Sequence, residues 1–269
     1  MVNEMPYRID IRQSGDPAGI DRLIALGALD LDVSPEGRVA ALLPDAITPQ
    51  DAARALGVDR VEVSPAEGRD DDSVWVLAPR RIRVGSLSIV PAHLEPEPGA
   101  IRLIDRPAFG TGLHPTTALC LEAIEEAVRI DAPEAMLDVG TGSGVLALGA
   151  LVLGVPRALA IDIDDEALAA ADANARLNGL EARVQLVRAT ADAVAGRWPL
   201  VVANILTAPL IEMAPSLSRR VGRHGRLILS GIRASLQADV VRAYRDAGMH
   251  CVDVASREDW AAVILGASW

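Results

Sequence analysis

Residues 135–153 hold the pattern that most constrains what this chain can fold into. An apolar run, Ala135-Met136-Leu137, passes through Asp138-Val139 into Gly140-Thr141-Gly142-Ser143-Gly144, and a second apolar run follows from Val145 to Leu153. This is a strand, a tight glycine turn and a helix in immediate succession. Glycines in that context let a backbone approach a ligand at a helix N-terminus, at the carboxyl edge of an open α/β sheet. One helix upstream stands a second glycine loop, Phe109-Gly110-Thr111-Gly112-Leu113-His114-Pro115-Thr116-Thr117, positioned to fold back over the same ligand. One glycine loop is a weak signal, but two flanking a single helix narrow the options.

From residue 100 onward strands and helices alternate, which argues for a parallel sheet. Helices are expected over 116–130, 145–153, 165–178 (ending at Gly179), near 209–221 and over 236–247. Strands are expected over 135–139, 157–163, 184–188, 200–204 and 226–230. Two further strands, 250–256 and 261–265, are joined by a short polar turn and are therefore antiparallel. The amino-terminal stretch reads differently. Residues 7–13 alternate like a strand, 16–29 form a capped helix, and 31–43 form a hairpin turning at Pro35-Glu36-Gly37. Thr48 and Pro49 supply an N-cap and first-turn proline for a helix over 52–56, and 61–63 is a strand. The expected layout is a small α+β, ferredoxin-like domain at 1–64, a linker with connecting strands (near 74–77 and 82–90) at 65–99, and an α/β domain at 100–269. Arg80, Arg81 and Arg83 read as the solvated face of a strand.

Half of the 269 residues are hydrophobic but only 3% are aromatic, so the core must be built from Leu, Val, Ala and Ile. No apolar stretch approaches the roughly 20 residues of a membrane span, and the first residues lack the features of a signal peptide. No membrane partner is expected, and the cytoplasm is the expected location. Cys120 and Cys251 read as reduced thiols. A net charge of −11 disfavours nucleic acid and suits a basic protein partner. No direct sequence-specific nucleic-acid binding and no metal site are expected, and the chain is expected to be a monomer. Every Lys/Arg position is arginine; the chain has no lysine.

The final spacing of Gly140-x-Gly142-x-Gly144 is wrong for a dinucleotide fingerprint. Asp138, at the tip of the strand, would repel a pyrophosphate and attract an ammonium group. Asp162, 22 residues after Gly140, ends the next strand, where a carboxylate can accept both hydroxyls of a ribose. Together they describe a nucleoside with an amino-acid tail, and S-adenosylmethionine fits. The alternative for Asp138 is a helix-dipole partner. Asn204 ends the strand at 200–204, where its amide oxygen can accept a hydrogen bond from a substrate amine; the alternative is a cap for the following helix. His114 reads as shaping the loop before Pro115 rather than as a base.

The two glycine loops, with Asp162-Ile163-Asp164, Asn204-Ile205-Leu206 and Ser230-Gly231-Ile232, resemble PrmA, the methyltransferase family of ribosomal protein L-11. The likeness covers residues 100–269 by motif and the amino-terminal part by layout. It implies a Rossmann-like seven-stranded class I methyltransferase domain, joined by a flexible linker to a small substrate-recognition domain. It implies S-adenosylmethionine as cofactor, and ribosomal protein L-11 as substrate, methylated on lysine ε-amines and the N-terminal α-amine. By the same resemblance Thr117, Gly140, Asp162 and Asn204 contact the cofactor, with Phe109, Thr116 and Leu206 closing over it. Gly110, Thr111, Asp138 and Gly142 are assigned to the same site, and Asn204 is the catalytic residue. Residues 65–75 depart from the family, whose linker there is rich in tryptophan and basic residues; here Trp75 stands amid acids. The competing readings are a methyltransferase of another protein or of a small molecule, and an NAD-dependent oxidoreductase, against which Asp138 counts.

Overall fold

A computed structural model describes residues 7–12, 30–33, 38–43, 47–65, 81–92, 94–95, 97–104, 114–257, 259–267 and 269. The chain divides into two compact units, Met1–Ala78 and Pro79–Trp269. In the first, β1 (Tyr7–Arg12), β2 (Asp30–Val33), β3 (Arg38–Leu43) and β4 (Glu62–Pro65) form a sheet of order β2-β3-β1-β4, antiparallel throughout. That is the strand order of the ferredoxin-like split unit. Helix α1 (Pro49–Leu56) begins with a capping box: Thr48 Oγ1 accepts the Asp51 N–H at 3.2 Å while the Asp51 carboxylate accepts the Thr48 N–H at 3.3 Å. Ile9, Ala41, Leu43, Ile47 and Ala52 form this unit's own small core. The expected helix at 16–29, the turn at 35–37 and the strand near 74–77 lie outside the described residues.

The second unit starts with a three-stranded sheet of β5 (Ile82–Val84), β6 (Leu87–Pro91) and β7 (Ile101–Leu103). The single strand expected over 82–90 is a hairpin turned at Gly85, whose φ is 56°. Its strands, expected as connectors, are buried with the larger domain: Leu87, Ile89, Ile101 and Leu103 share one core with Leu121, Ile124 and Leu148.

The main sheet is built from β8 (Met136–Val139), β9 (Ala158–Asp162), β10 (Val184–Arg188), β11 (Trp198–Asn204), β12 (Val221–Arg233), β13 (Met249–Arg257) and β14 (Trp260–Ala267). Its order is β10-β9-β8-β11-β12-β14-β13. Pairs from β10 to β12 are parallel, while β14 runs antiparallel to both neighbours. This is the expected seven-stranded class I methyltransferase sheet, closed by the expected antiparallel pair. Helices α2 (Pro115–Asp131), α3 (Val145–Val152), α4 (Asp165–Leu177), α5 (Thr207–Glu212), α6 (Ala214–Arg220) and α7 (Gln237–Asp246) are distributed among these strands. Alternate strand residues feed two cores: Met136 and Val202 on one face, Leu137 and Val201 on the other. Burial on both faces explains why the strands read as unbroken apolar runs. One helix was expected near 209–221; two form, dividing at Met213, because Pro215 lacks an N–H and suits only a first turn.

Cys120 is buried and Cys251 is exposed on β13, and both are free thiols. Among the described residues no helix is long and apolar enough to cross a membrane, and no cluster of His, Cys, Asp and Glu suits a metal ion.

Candidate active site

The strand order reverses direction at β8, whose neighbours β9 and β11 lead to opposite edges, and the crevice at that switch point is where ligands bind in open α/β sheets. The glycine turn after β8 lies there. Gly140, Gly142 and Gly144 have φ values of 73°, 54° and 81°, a region that residues with a Cβ avoid. Gly140 and Thr141 both donate to the Ile161 carbonyl, at 2.9 and 3.0 Å, and Gly142 N–H donates to Asp162 Oδ2 at 3.0 Å. Asp162 thus anchors the turn to the end of β9, and its Oδ1 accepts the N–H groups of Ile163 and Asp164. On the other side the turn touches the end of β11: a Cβ on Gly140 would lie 2.5 Å from Ile205 Cγ2. Gly231, φ 81°, closes on the same residue, since its Cβ would fall 2.0 Å from the Ile205 carbonyl oxygen.

Three buried side-chain oxygens at this edge lack a hydrogen-bond partner of good geometry, Thr117 Oγ1, Asp138 Oδ1 and Asn204 Oδ1, although the Ala147 N–H lies near enough to the Asp138 carboxyl to favour its charged form. They come from the first turn of α2, from β8 and from the last residue of β11. Each unpartnered buried group costs about 1–3 kcal/mol, so three converging on one crevice call for a ligand. Asp138 is fully buried, and its Oδ2 accepts the Thr141 hydroxyl at 2.7 Å. Burial pushes its carboxyl up to about 6, and the nearby Asp162 charge acts in the same direction. The Cys120 thiol, one turn beyond Thr117, is pushed up by burial first and then by the Asp138 charge, which puts the inner face of α2 beside that carboxylate. Asn204 does not cap the next helix: the N-cap of α5 is Leu206, and no side chain bonds there. Leu206 instead stands at the rim, 61% exposed.

His114 is the N-cap of α2. Its Nδ1 accepts the Thr116 N–H at 3.3 Å and contacts Thr116 Oγ1 at 2.7 Å, a pairing that assigns the ring proton to Nε2. Burial, then the Arg233 charge, lowers its pKa to about 4, so the ring stays neutral near pH 7. The imidazole packs edge-on against Trp260, centroids 4.8 Å apart, and Arg233 lies over the same indole at 4.2 Å. This is a cap and a wall, not a base. Thr116 is fully buried with its hydroxyl on His114. Phe109, Gly110 and Thr111 lie outside the described residues.

Sequence reasoning missed Asn174. Buried in α4, it donates from Nδ2 to the Ser143 carbonyl in the glycine turn at 2.9 Å and accepts the Ile104 N–H at 2.8 Å. One turn later Asn178 holds both the N–H and the carbonyl of Arg102. Together they tie β7 and the glycine turn to one helix. The available signal was two asparagines four residues apart inside a helical pattern, since Asn is a poor helix former. Asn174→Ala would strand two buried backbone groups, and the expected loss is about 2–4 kcal/mol of unfolding free energy in urea titration. A loss under about 0.5 kcal/mol for the alanine variant would refute the bridging role.

A seven-stranded sheet of this order, with unpartnered acceptors at its switch point, defines a class I methyltransferase domain. The family model described as ribosomal protein L11 methyltransferase (PrmA) matches residues 50–267. The chain belongs to the PrmA family. It is 40% identical over 205 residues to the ribosomal protein L11 methyltransferase of Geobacter sulfurreducens, covering 73% of this chain and 66% of that protein. It is 43% identical over 199 residues to the protein of the same name from Pseudomonas aeruginosa, covering 72% and 67%. The match thus spans about two thirds of the length of these relatives. Among solved structures, a ribosomal protein L11 methylase from Lactobacillus delbrueckii subsp. bulgaricus superposes with a TM-score of 0.64 at 32% identity, over 70% of this chain and 99% of that one.

Proposed function

We propose that this chain is an S-adenosylmethionine-dependent protein N-methyltransferase that modifies amines of ribosomal protein L11, the lysine ε-amines and the N-terminal α-amine, as a monomer in the cytoplasm. The observation that carries the reading is the trio of unpartnered buried oxygens on Thr117, Asp138 and Asn204 around a glycine turn. They fit the cofactor. Asp138 offers a carboxylate to an ammonium group, Asp162 Oδ2 keeps one acceptor site for a ribose hydroxyl beside its bond to Gly142, and Gly140 and Gly142 leave the backbone open to close approach. Thr117 is assigned to the same crevice, with Thr116 and Leu206; the assignment of Phe109, Gly110 and Thr111 to its cover rests on the resemblance to the family. When bound, the cofactor supplies an electrophilic methyl group on a sulfonium sulfur.

The acceptor must arrive with a lone pair. A lysine amine has a pKa near 10.4, so neutralising it at pH 7 costs about 4–5 kcal/mol. Burial of the amine in a water-poor crevice disfavours the charged form. Asn204 Oδ1 accepts one N–H of the neutral amine and orients it, a role a carboxylate there would spoil by favouring the ammonium form. His114, neutral and bonded through Nδ1 to Thr116, is not available as a base, and the proton leaves to water. The oxidoreductase reading fails on Asp138, whose buried carboxylate would meet a pyrophosphate.

The test is methyl transfer from labelled cofactor into L11 of the same species, with mass mapping of the product. Label is expected on L11 amines; label absent from L11 under conditions where the cofactor binds would overturn the substrate assignment. The chain contains no lysine, so label on the enzyme itself cannot be lysine automethylation.

A further inference from the structure

The opposite edge of the main sheet carries a feature the methyl-transfer reading does not use. A groove of about 470 Å³ runs along the amino ends of β8, β9, β10 and β11, a strand's length from the glycine turn. Three arginines line it, Arg157, Arg183 and Arg197, against one acid, Glu134. Its walls therefore carry +2 in a chain of −11, leaving −13 on the rest. Like charges gathered in one concavity repel one another.

Two of the three guanidinium groups are held in place. Arg183 donates from Nη2 to the carbonyls of Leu151 and Val155, at 2.9 and 2.6 Å, and from Nε to Pro156 at 3.1 Å. Arg197 stacks over the Trp269 ring, 5.9 Å from its centroid. Arg157 is exposed and has no ion pair among the described residues. A second tryptophan, Trp198, lines the groove, half-buried. The guanidinium forks of Arg157 and Arg197 match the oxygens of a phosphate, and the half-buried Trp198 indole beside them suits a stacked base. The volume lies in the range of small-ligand sites.

We propose that this groove binds a nucleotide phosphate, with Arg157 and Arg197 on the phosphate oxygens and the base against Trp198. The source is a free nucleotide or the phosphorylated end of an RNA strand. Such a contact carries no sequence information, and the acidic remainder of the chain makes it weak and salt-dependent.

The experiment is isothermal titration of the full chain at low salt with uridine monophosphate, with a 5′-phosphorylated oligouridylate, and with uridine as the control lacking phosphate. Uridine probes avoid the adenosine-binding crevice. Saturable binding is expected for at least one phosphorylated probe and not for uridine, weakened at least ~10-fold in Arg157→Gln/Arg197→Gln. That variant should keep the wild-type thermal midpoint and S-adenosylmethionine affinity, since both side chains lie on the far edge. An oligomer binding ~10-fold tighter than the monophosphate identifies an RNA end as the source; equal binding identifies the free nucleotide. Failure of both phosphorylated probes to saturate, or equal binding by the double variant, overturns the proposal. These outcomes do not depend on methyl transfer to any substrate.

Discussion

Asn204→Ala is expected to lower turnover about 100-fold or more while leaving cofactor affinity within a few fold of wild type. The expectation rests on where the amide oxygen sits. Asn204 ends β11, pairs in register with Ser230, is 7% exposed, and presents an unpartnered Oδ1 at the switch point. Alanine removes the acceptor that fixes the amine's direction, and misorientation of a reacting group is worth roughly 100-fold in rate. Under the proposed assignment, Asp138, Asp162 and the glycine turn still hold the cofactor in this variant. Asn204→Asp separates orientation from charge: an acceptor remains, but a carboxylate favours the ammonium form, so its rate should stay low at pH 7 and climb more steeply with pH than wild type. Single-turnover kinetics with cofactor titration reads both effects, and an alanine variant turning over at the wild-type rate would remove Asn204 from the mechanism.

Asp138→Asn should separate stability from function. The wild-type carboxyl is fully buried and held at about 6, above its ordinary 3.8. The folded chain therefore binds this proton more tightly than the unfolded chain. Its stabilising contribution is complete below pH 3.8, declines as the pH rises, and is lost once the pH passes about 6. Carrying the ionised group at neutral pH costs about 3 kcal/mol. Asparagine keeps an oxygen for the Thr141 hydroxyl and removes the charge, so the ligand-free variant should melt about 5 °C higher at pH 7. Its stability should lose that decline between pH 4 and 6. Cofactor affinity should fall at least ~10-fold, the worth of a charge-assisted hydrogen bond. Calorimetry across that pH range, with and without S-adenosylmethionine, checks both halves; an unchanged affinity would mean that Asp138 is a purely structural acid.

Much of this was legible locally. Helix and strand periods placed β8, α3, β9, α4 and β10 to within a residue or so, because each is a short element buried on a predictable face. The glycine turn was legible because only glycine reaches φ values of 73°, 54° and 81° cheaply. Strand-end position singled out Asp162 and Asn204, and the resemblance to PrmA then assigned both to the cofactor site. What stayed hidden depended on distant partners. Residues 82–103 carry ordinary strand patterns, and no local feature says that they form a separate sheet against α2 and α3. Asn174 carried no local sign of its role, because its partners, Ser143 and Ile104, lie 31 and 70 residues away. Asp162 was read as a ribose acceptor only, and its bond to Gly142 emerges once β9 lies beside the turn.

By itself the sequence determined the class of fold and the residue types at the crevice: a glycine turn between strand and helix, an acid on each of two neighbouring strands, and an amide at the end of a third. Those follow from backbone geometry and side-chain type, which are local. Only the tertiary structure decided which of these polar groups lack partners. Thr117, Asp138 and Asn204 acquire unpartnered oxygens because α2, β8 and β11 bury them together, while Thr116 is spent on His114. Only the tertiary structure, too, gathered Arg157, Arg183 and Arg197 on one edge, since residues far apart in the chain meet when parallel strands start side by side. Desolvation and charge proximity are properties of the assembled sheet, and no stretch of sequence carries them alone.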